Sequence, residues 1–288
     1  MRLGITGATG FIGRRAADLA RARGWEVVPF SRTPRDHATR RFVPGEPADV
    51  DGLDAVLHLA GESVLGLWTA QKRARIMDSR VLGTRSVVEG FARAKNPPRV
   101  LISGSAIGYY GDTGNREVDE NSPPGSGFLA EVCRAWEAEA EKARETRVVL
   151  LRIGFVLGRG DGAMKLVLPV FRAGLGGRLG SGRQWMSCIH VDDVAGMALW
   201  AVENEIVRGP LNAVMPHAVT NTEFTRTLAR VVHRPAIFPV PSFVLRLVLG
   251  RMASMLLSSL RVRPALAERC GYRYAFSDVG AALADLAR

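Results

Sequence analysis

The sequence predicts an α/β protein: a parallel sheet wound with helices on both faces, then a small, mainly helical C-terminal lobe. Three features predict it. Short apolar runs alternate with longer helix-period segments through the first half, the pattern of βαβ units. A glycine-rich turn, Gly7-Ala8-Thr9-Gly10-Phe11-Ile12-Gly13, separates the first run from the first helix. Beyond Pro210 the alternation stops and prolines multiply at Pro216, Pro235, Pro239 and Pro241.

The short apolar runs place strands at Arg2–Thr6, Glu26–Phe30, Ala55–Leu59, Arg99–Ser103 and Val148–Ile153. The longer periodic segments place helices near Ile12–Arg23, Ala70–Lys95 and Phe128–Thr146. Glycine, proline and polar clusters mark loops at Thr33–Pro47, Asp112–Pro124 and Gly174–Gly182. A further helix should follow Asp192-Asp193, where an aspartate can cap free N–H groups. Phe243 to Leu260 is apolar at helical spacing but interrupted by Arg246 and Arg251, so it reads as a buried or interface helix and not a membrane span. The lobe boundary falls near residues 212–217.

With 288 residues, 47% apolar and 23% charged, the chain has the balance of a globular protein. Cys133, Cys188 and Cys270 are odd in number and far apart, which excludes a CxxC site or a disulfide framework. With no signal peptide read at Met1, a cytoplasmic location is expected, and no metal site is read. Lys and Arg total 39 against 28 Asp and Glu, a net charge of +11. Such a charge raises nucleic acid or an anionic membrane surface as partners. Basic residues form no run of five or six, so nucleic acid is not expected, and anionic small molecules are well served.

The glycine turn sits where a strand ends and a helix begins. Gly7 permits the tight turn, Gly10 lets backbone approach a pyrophosphate, and Gly13 allows close helix–strand packing. The helix N-terminus supplies unpaired N–H groups and partial positive charge. The next strand runs into Ser31-Arg32, with no carboxylate until Asp36. An arginine and a hydroxyl can bond a ribose 2′-phosphate that a carboxylate would repel, so NADP(H) is favoured over NAD(H).

With these residues in place, the chain resembles the extended short-chain dehydrogenase/reductase superfamily, and within it the atypical epimerase branch with a small extra C-terminal domain. The matching segments include Gly7–Gly13, Ser31-Arg32, His58-Leu59-Ala60-Gly61-Glu62, Ser79–Thr84, Ser103–Gly111, Phe128–Glu137, Leu157–Gly160 and Ile189–Asp193, with Gly250–Ala275 in the C-terminal domain. The resemblance implies a Rossmann-type doubly wound sheet over residues 1–215, with a cleft-lining loop over about 172–188, and a substrate or cap domain over 216–288. It implies cofactor contacts from Gly7, Thr9, Gly10, Phe11, Ile12, Gly13, Ser31, Arg32, Leu59, Ala60, Gly61 and Glu62. It adds Arg80 as a donor to ribose or phosphate, Ser103 and Gly104 beneath the nicotinamide, and Ile153 and Val156 in its pocket.

Catalysis departs from the superfamily's Tyr-x-x-x-Lys pair. Four residues after Tyr109, Tyr110, Tyr272 and Tyr274 stand Thr113, Gly114, Phe276 and Asp278. Phe128 or Leu129 takes the tyrosine's place, and Val132 or Cys133 the lysine's. Ser105, at the family's serine position, and Tyr109 are the catalytic candidates, and Cys133 is expected to be inert. Glu62 caps its loop or acts in acid–base chemistry. The arginine that precedes the His-Val-Asp segment in sugar-nucleotide epimerases is replaced by Met186, and Trp185 and Met186 suggest an apolar ligand face. Arg172, Arg178 and Arg183 are alternative anion ligands. Two functions follow: an NADP(H)-dependent oxidoreductase or epimerase on an unknown small substrate, or a noncatalytic NADP(H)-sensing regulatory protein. A monomer or homodimer is expected.

Overall fold

The computed structural model describes residues 1–34 and 36–287; residue 35, inside the expected loop Thr33–Pro47, lies outside them. From Arg2–Thr6 (β1) the chain turns into Phe11–Ala22 (α1), returns as Glu26–Ser31 (β2) and passes Arg40–Arg41 (β3). Ala55–His58 (β4), Ala70–Arg93 (α2) and Val100–Ala106 (β5) follow, then a 3-10 turn over Ile107–Tyr110. Glu117–Val118 (β6) leads to Phe128–Ala140 (α3), Arg147–Ile153 (β7), Phe155–Leu157 (β8) and Met164–Arg172 (α4). Trp185–Met186 (β9), Cys188–His190 (β10), Val191–Glu203 (α5) and Gly209–Ala213 (β11) complete the first part. The remainder holds Val219–Thr220 (β12), Asn221–Val231 (α6), Ser242–Leu249 (α7), Ala253–Leu257 (α8), Arg261–Val262 (β13), Ala265–Arg269 (α9) and Val279–Ala287 (α10).

Seven strands form one sheet in the order β11-β7-β5-β4-β1-β2-β3, and every pair in it is parallel. The order reverses at β1, so a crevice opens beyond the carboxyl ends of β1 and β4. Register fixes what meets there: Thr6 lies between Phe30 and His58, and His58 opposite Ser103. Leu3, Ile5, Ala55 and Leu57 are fully buried in one cluster with Ala16, Ala20, Ala195 and Ala198. The alanines let α1 and α5 lie close against the sheet. On the other face Val56, Leu101 and Leu150 pack with Val87 and Phe91 of α2.

All five expected strands are present, with ends moved by a few residues. The sheet also takes β3, only two residues long, and β11, whose Pro210 is tolerated because that strand is an edge. α3 stops at Ala140, short of the expected Thr146. The cap of α5 is His190, whose Nδ1 accepts from the Asp192 N–H at 3.2 Å, not an aspartate. The expected helix over Phe243–Leu260 is broken at Gly250, whose φ of +55° ends α7. Nor is it buried throughout: Leu245 and Met252 are, while Leu247 is 83% exposed. Among the described residues no helix is long and apolar enough to cross a membrane.

Candidate functional site

The turn after β1 is shaped by its glycines. Gly7 has φ +70°, and a Cβ there would lie 3.0 to 3.1 Å from the backbone of Leu59 and Ala60. A Cβ on Gly13 would lie 2.1 Å from the Gly7 carbonyl oxygen, so only glycine lets α1 start this close to β1. A Cβ on Gly10 meets only that same oxygen, at 3.1 Å. No side chain caps α1, and its first turn carries no acid. Its first N–H groups are thus left for an external acceptor.

A cavity of about 910 Å³ opens in front of this turn. Gly7, Thr9, Gly10, Ser31, Arg32, Thr33, Leu59, Ala60, Gly61 and Glu62 line it, as do Arg14 and Asp36. The Ser31 hydroxyl oxygen accepts from the Thr33 N–H at 3.2 Å, which leaves its proton free to donate. Arg32 is exposed and forms no ion pair among the described residues. Arg14, a cleft residue the sequence reading passed over, is held by Asp161 at 3.0 Å.

Thr6 and His58 hold the next loop. Thr6 Oγ1 accepts from the N–H groups of Leu59 and Ala60, each at 3.1 Å. Its remaining proton goes to His58 Nδ1 at 2.7 Å, so the proton on that imidazole sits on Nε2. Burial pushes the His58 pKa down to about 4 and keeps the ring neutral. A polar residue closing an apolar strand, as Thr6 does, was the signal in the sequence.

Arg80 reaches the same loop from α2. Its Nη1 donates to the carbonyls of Glu62 at 3.0 Å and Ile76 at 3.1 Å. The guanidinium lies over Trp136, 5.0 Å from the ring centroid, and fills the space beside Gly61. Nε and Nη2 make no hydrogen bond among the described residues. Glu62 pairs with Lys72 Nζ at 2.6 Å, and the hydrogen bond from Lys72 holds its carboxyl below the usual range. Ser79 Oγ accepts from the Glu62 N–H at 2.9 Å.

Ser105 and Tyr109 are both tied to one buried arginine, Arg152, the first through Glu137 and the second directly. The Ser105 hydroxyl, expected to face a substrate, instead donates to Glu137 Oε1 at 2.6 Å. Glu137 is gripped by Arg152 through two bonds of 2.8 and 2.7 Å. Arg152 Nη1 donates to the Tyr110 hydroxyl at 2.9 Å, which donates to Asn212 Oδ1 at 2.8 Å. Burial drives the Tyr110 pKa up to about 12, so it is no acid–base group near neutrality. Strand alternation turns Ser105 inward, across from Arg152 on β7. Tyr109 stacks on Arg152, 3.5 Å from guanidinium carbon to ring centroid. It is half-buried, and its hydroxyl has no hydrogen-bond partner among the described residues.

On α3, Leu129 and Cys133 are the residues that face the turn at Gly108. Burial raises the Cys133 thiol to about 11, with Sγ 3.5 Å from the Ala106 carbonyl. Phe128 turns away and packs edge-on to Trp68. The C-terminal lobe covers this corner: Met252 and Met255 join Val64, Trp68, Phe128 and Leu129 in one apolar cluster. Ser103 is buried in the middle of β5, Gly104 lies against Trp136, and Ile153 and Val156, like Ala8, Ile12 and Leu59, pack part-buried against the main core cluster.

Met186 is part-buried against the apolar cluster that holds Phe224, and its sulfur accepts from Asn221 Nδ2 at 3.4 Å. Trp185 lies under Arg261 and lines a separate cavity of about 370 Å³ at the lobe seam. Arg178 bonds the Ser181 carbonyl at 2.6 Å. The Asp192-Asp193 motif is a clamp. Asp192 takes Arg15 of α1 at 2.6 and 2.8 Å, and Asp193 accepts from the N–H groups of Ala275 and Phe276.

Parallel sheet, reversal point and glycine turn define a Rossmann-fold protein of the extended short-chain type. The chain belongs to the NAD dependent epimerase/dehydratase family, whose model matches residues 3–212, and a domain of unknown function, DUF1731, matches residues 240–286. It is 38% identical to the human epimerase family protein SDR39U1, over 99% of each chain. It is 34% identical to the epimerase family protein YfhF of Bacillus subtilis, over 99% of this chain and 98% of that one. A crystal structure of human SDR39U1 (isoform2) with NADPH superposes with TM-score 0.93 at 38% identity, covering 100% of this chain and 99% of that one. A relative from Arabidopsis thaliana, 38% identical over 98% of this chain and 86% of its own, is described as chloroplastic, so kinship does not fix the compartment.

Proposed function

We propose that this chain is an NADP(H)-binding oxidoreductase or epimerase that acts on a small substrate without a tyrosine–lysine pair. One observation carries the cofactor choice: the end of β2 offers Ser31, Arg32 and Thr33 to the cleft, with Arg32 exposed and unpaired among the described residues. The glycine cradle fits a dinucleotide, since a Cβ on Gly10 would stand in the open space before the uncapped helix. Kinship with the human protein crystallised with NADPH supports the same reading.

The first-turn N–H groups of α1 hold the pyrophosphate, and Ser31 and Arg32 bond the 2′-phosphate with charge assistance. NADP(H) supplies or accepts the hydride. Tyr109 gives or takes the proton, because its hydroxyl alone in the Ser105–Tyr110 group is uncommitted. Ser105 acts as a positioning residue, fixing the end of β5 to Glu137. A second reading, a noncatalytic NADP(H) sensor, is favoured by apolar Leu129 and buried Cys133 where the resemblance sets the tyrosine and lysine.

Calorimetric titration should give NADPH an affinity at least about tenfold above NADH; equal affinities sink the cofactor assignment. NADPH oxidation should then be followed across small carbonyl compounds and nucleotide sugars. With a substrate found, Tyr109→Phe should lower kcat on the order of 10²-fold. Cofactor binding without turnover across the panel would favour the sensor.

A further inference from the structure

The excess positive charge is confined to two stretches of chain. No Asp or Glu occurs between Glu223 and Glu268, a stretch with seven arginines. None occurs between Asp161 and Asp192, which encloses Lys165, Arg172, Arg178 and Arg183. These eleven cations equal the whole net charge of +11, so the rest of the chain is balanced.

The fold lays the two stretches side by side. The Phe238 N–H donates to the Gly176 carbonyl, Val240 to Arg178 and Gly180 to Val240, at 3.2, 2.9 and 2.8 Å. Arg234 Nε reaches the Arg172 carbonyl at 3.3 Å. Along this seam large apolar side chains face solvent: Leu175, Ile237 and Phe238, then Phe243, Leu247 and Val248 on α7, each at least half exposed. Phe243 and Leu247, four residues apart, share one face of α7, with Val248 beside it. Arg172, Arg234, Arg246 and Arg251 belong to the same segments and form no ion pair among the described residues. By contrast, Arg261 and Arg263 pair with Glu117 and Glu268.

Scattered exposed leucines need no explanation, but a run of aromatic and aliphatic side chains along one seam does. We propose that this face docks peripherally on an anionic lipid bilayer. Phe238, Phe243 and Leu247 enter the boundary between headgroups and acyl chains, and the unpaired arginines meet headgroup phosphates. A second copy would set like charges against each other across the face, and nucleic acid offers nothing apolar for Phe243 and Leu247 to enter.

The full-length protein should co-sediment with vesicles of equal parts phosphatidylglycerol and phosphatidylcholine, and at least about tenfold less with pure phosphatidylcholine. Added salt should weaken the binding. The double variant F243E/L247E should lose at least about tenfold in binding while melting at the parent temperature, since both side chains are exposed. Arg246→Glu with Arg251→Glu should weaken binding to the anionic vesicles alone. The proposal is overturned if the protein ignores anionic vesicles or if F243E/L247E binds them as well as the parent. It is equally overturned if light scattering shows a dimer that F243E/L247E splits, which would mean that a second copy covers the face.

Discussion

Gly10 and Gly13 stand in the same turn and should fail in opposite ways. At Gly10 φ is −76° and ψ 172°, a conformation open to valine. A Cβ there touches only the Gly7 oxygen at 3.1 Å. Gly10→Val therefore costs about 1 kcal/mol, as a poorer helix-capping residue, or a fall of about 2–4 °C in Tm. Its side chain fills the space assigned to the pyrophosphate, so NADPH affinity should drop at least about 100-fold, near 2.7 kcal/mol. At Gly13 the new methyl of alanine would lie 2.1 Å from the Gly7 oxygen and 2.8 Å from its carbonyl carbon. Both are backbone atoms, and no rotamer relieves them. Gly13→Ala should cost about 3 kcal/mol or more by pushing α1 off β1. Circular dichroism melts and calorimetry with NADPH on the same preparations separate the two. A folded Gly10→Val protein that binds NADPH normally would refute the pyrophosphate assignment, and an unshifted melt for Gly13→Ala would refute the packing argument.

Arg32→Asp should abolish or reverse the preference for NADPH over NADH, a change of at least about 1.4 kcal/mol by calorimetry; an unchanged ratio would place the 2′-phosphate elsewhere. Glu137→Ala leaves Arg152 buried and unpaired, so urea titration should show a loss of about 3–5 kcal/mol. Ser105→Ala removes one donor from a carboxylate still held by Arg152 and should cost about 1 kcal/mol. If it instead left stability intact and lowered kcat, the positioning role assigned to Ser105 would fail. His58 titrates near 4 in the fold against 6.5 for a free histidine. Between those values the unfolded chain binds the extra proton, so stability present above pH 6.5 falls as the pH drops toward 4. The loss is about 3 kcal/mol, and His58→Gln should flatten that part of the stability curve.

The parallel sheet was legible because strands covered on both faces read as continuous apolar runs, from Leu3-Gly4-Ile5 to Val148–Leu151. The same coverage hid the direction of Ser105. With helices on both faces, no polar–apolar alternation marks which side of β5 looks into the cleft. Arg152, a charge inside an apolar run, was the sign of a buried ion pair, and its partner on α3 lay beyond reach of local pattern. The glycine turn announced itself because backbone clearance has no substitute at Gly7 and Gly13. The face of α7 could not be read, because apolar spacing says that a helix has an apolar stripe and not what covers it. The surroundings of Met186 were out of reach for the reverse reason: Asn221 and the cluster of Phe224, both on α6, come near it only in the fold.

The absence of a lysine on α3 is physically consistent with the presence of Arg80 on α2. Arg80 is largely buried beside the loop that follows β4, and burial lowers its pKa. The Arg80 charge also reaches Cys133, where it acts to favour the thiolate against the stronger opposing effect of burial. A lysine at position 133 would face that guanidinium across the same apolar corner, two cations without a carboxylate between them, since Glu137 is already committed to Arg152. A thiol there removes the repulsion and lets Leu129 and the methionines of the C-terminal lobe close the corner. The chain thus keeps Arg80 beside the loop that follows β4, anchored to the Glu62 and Ile76 carbonyls with Nε and Nη2 uncommitted. Such an arrangement still favours a dinucleotide but leaves no lysine to lower a tyrosine pKa, which is why the proton step assigned here runs through the uncommitted Tyr109.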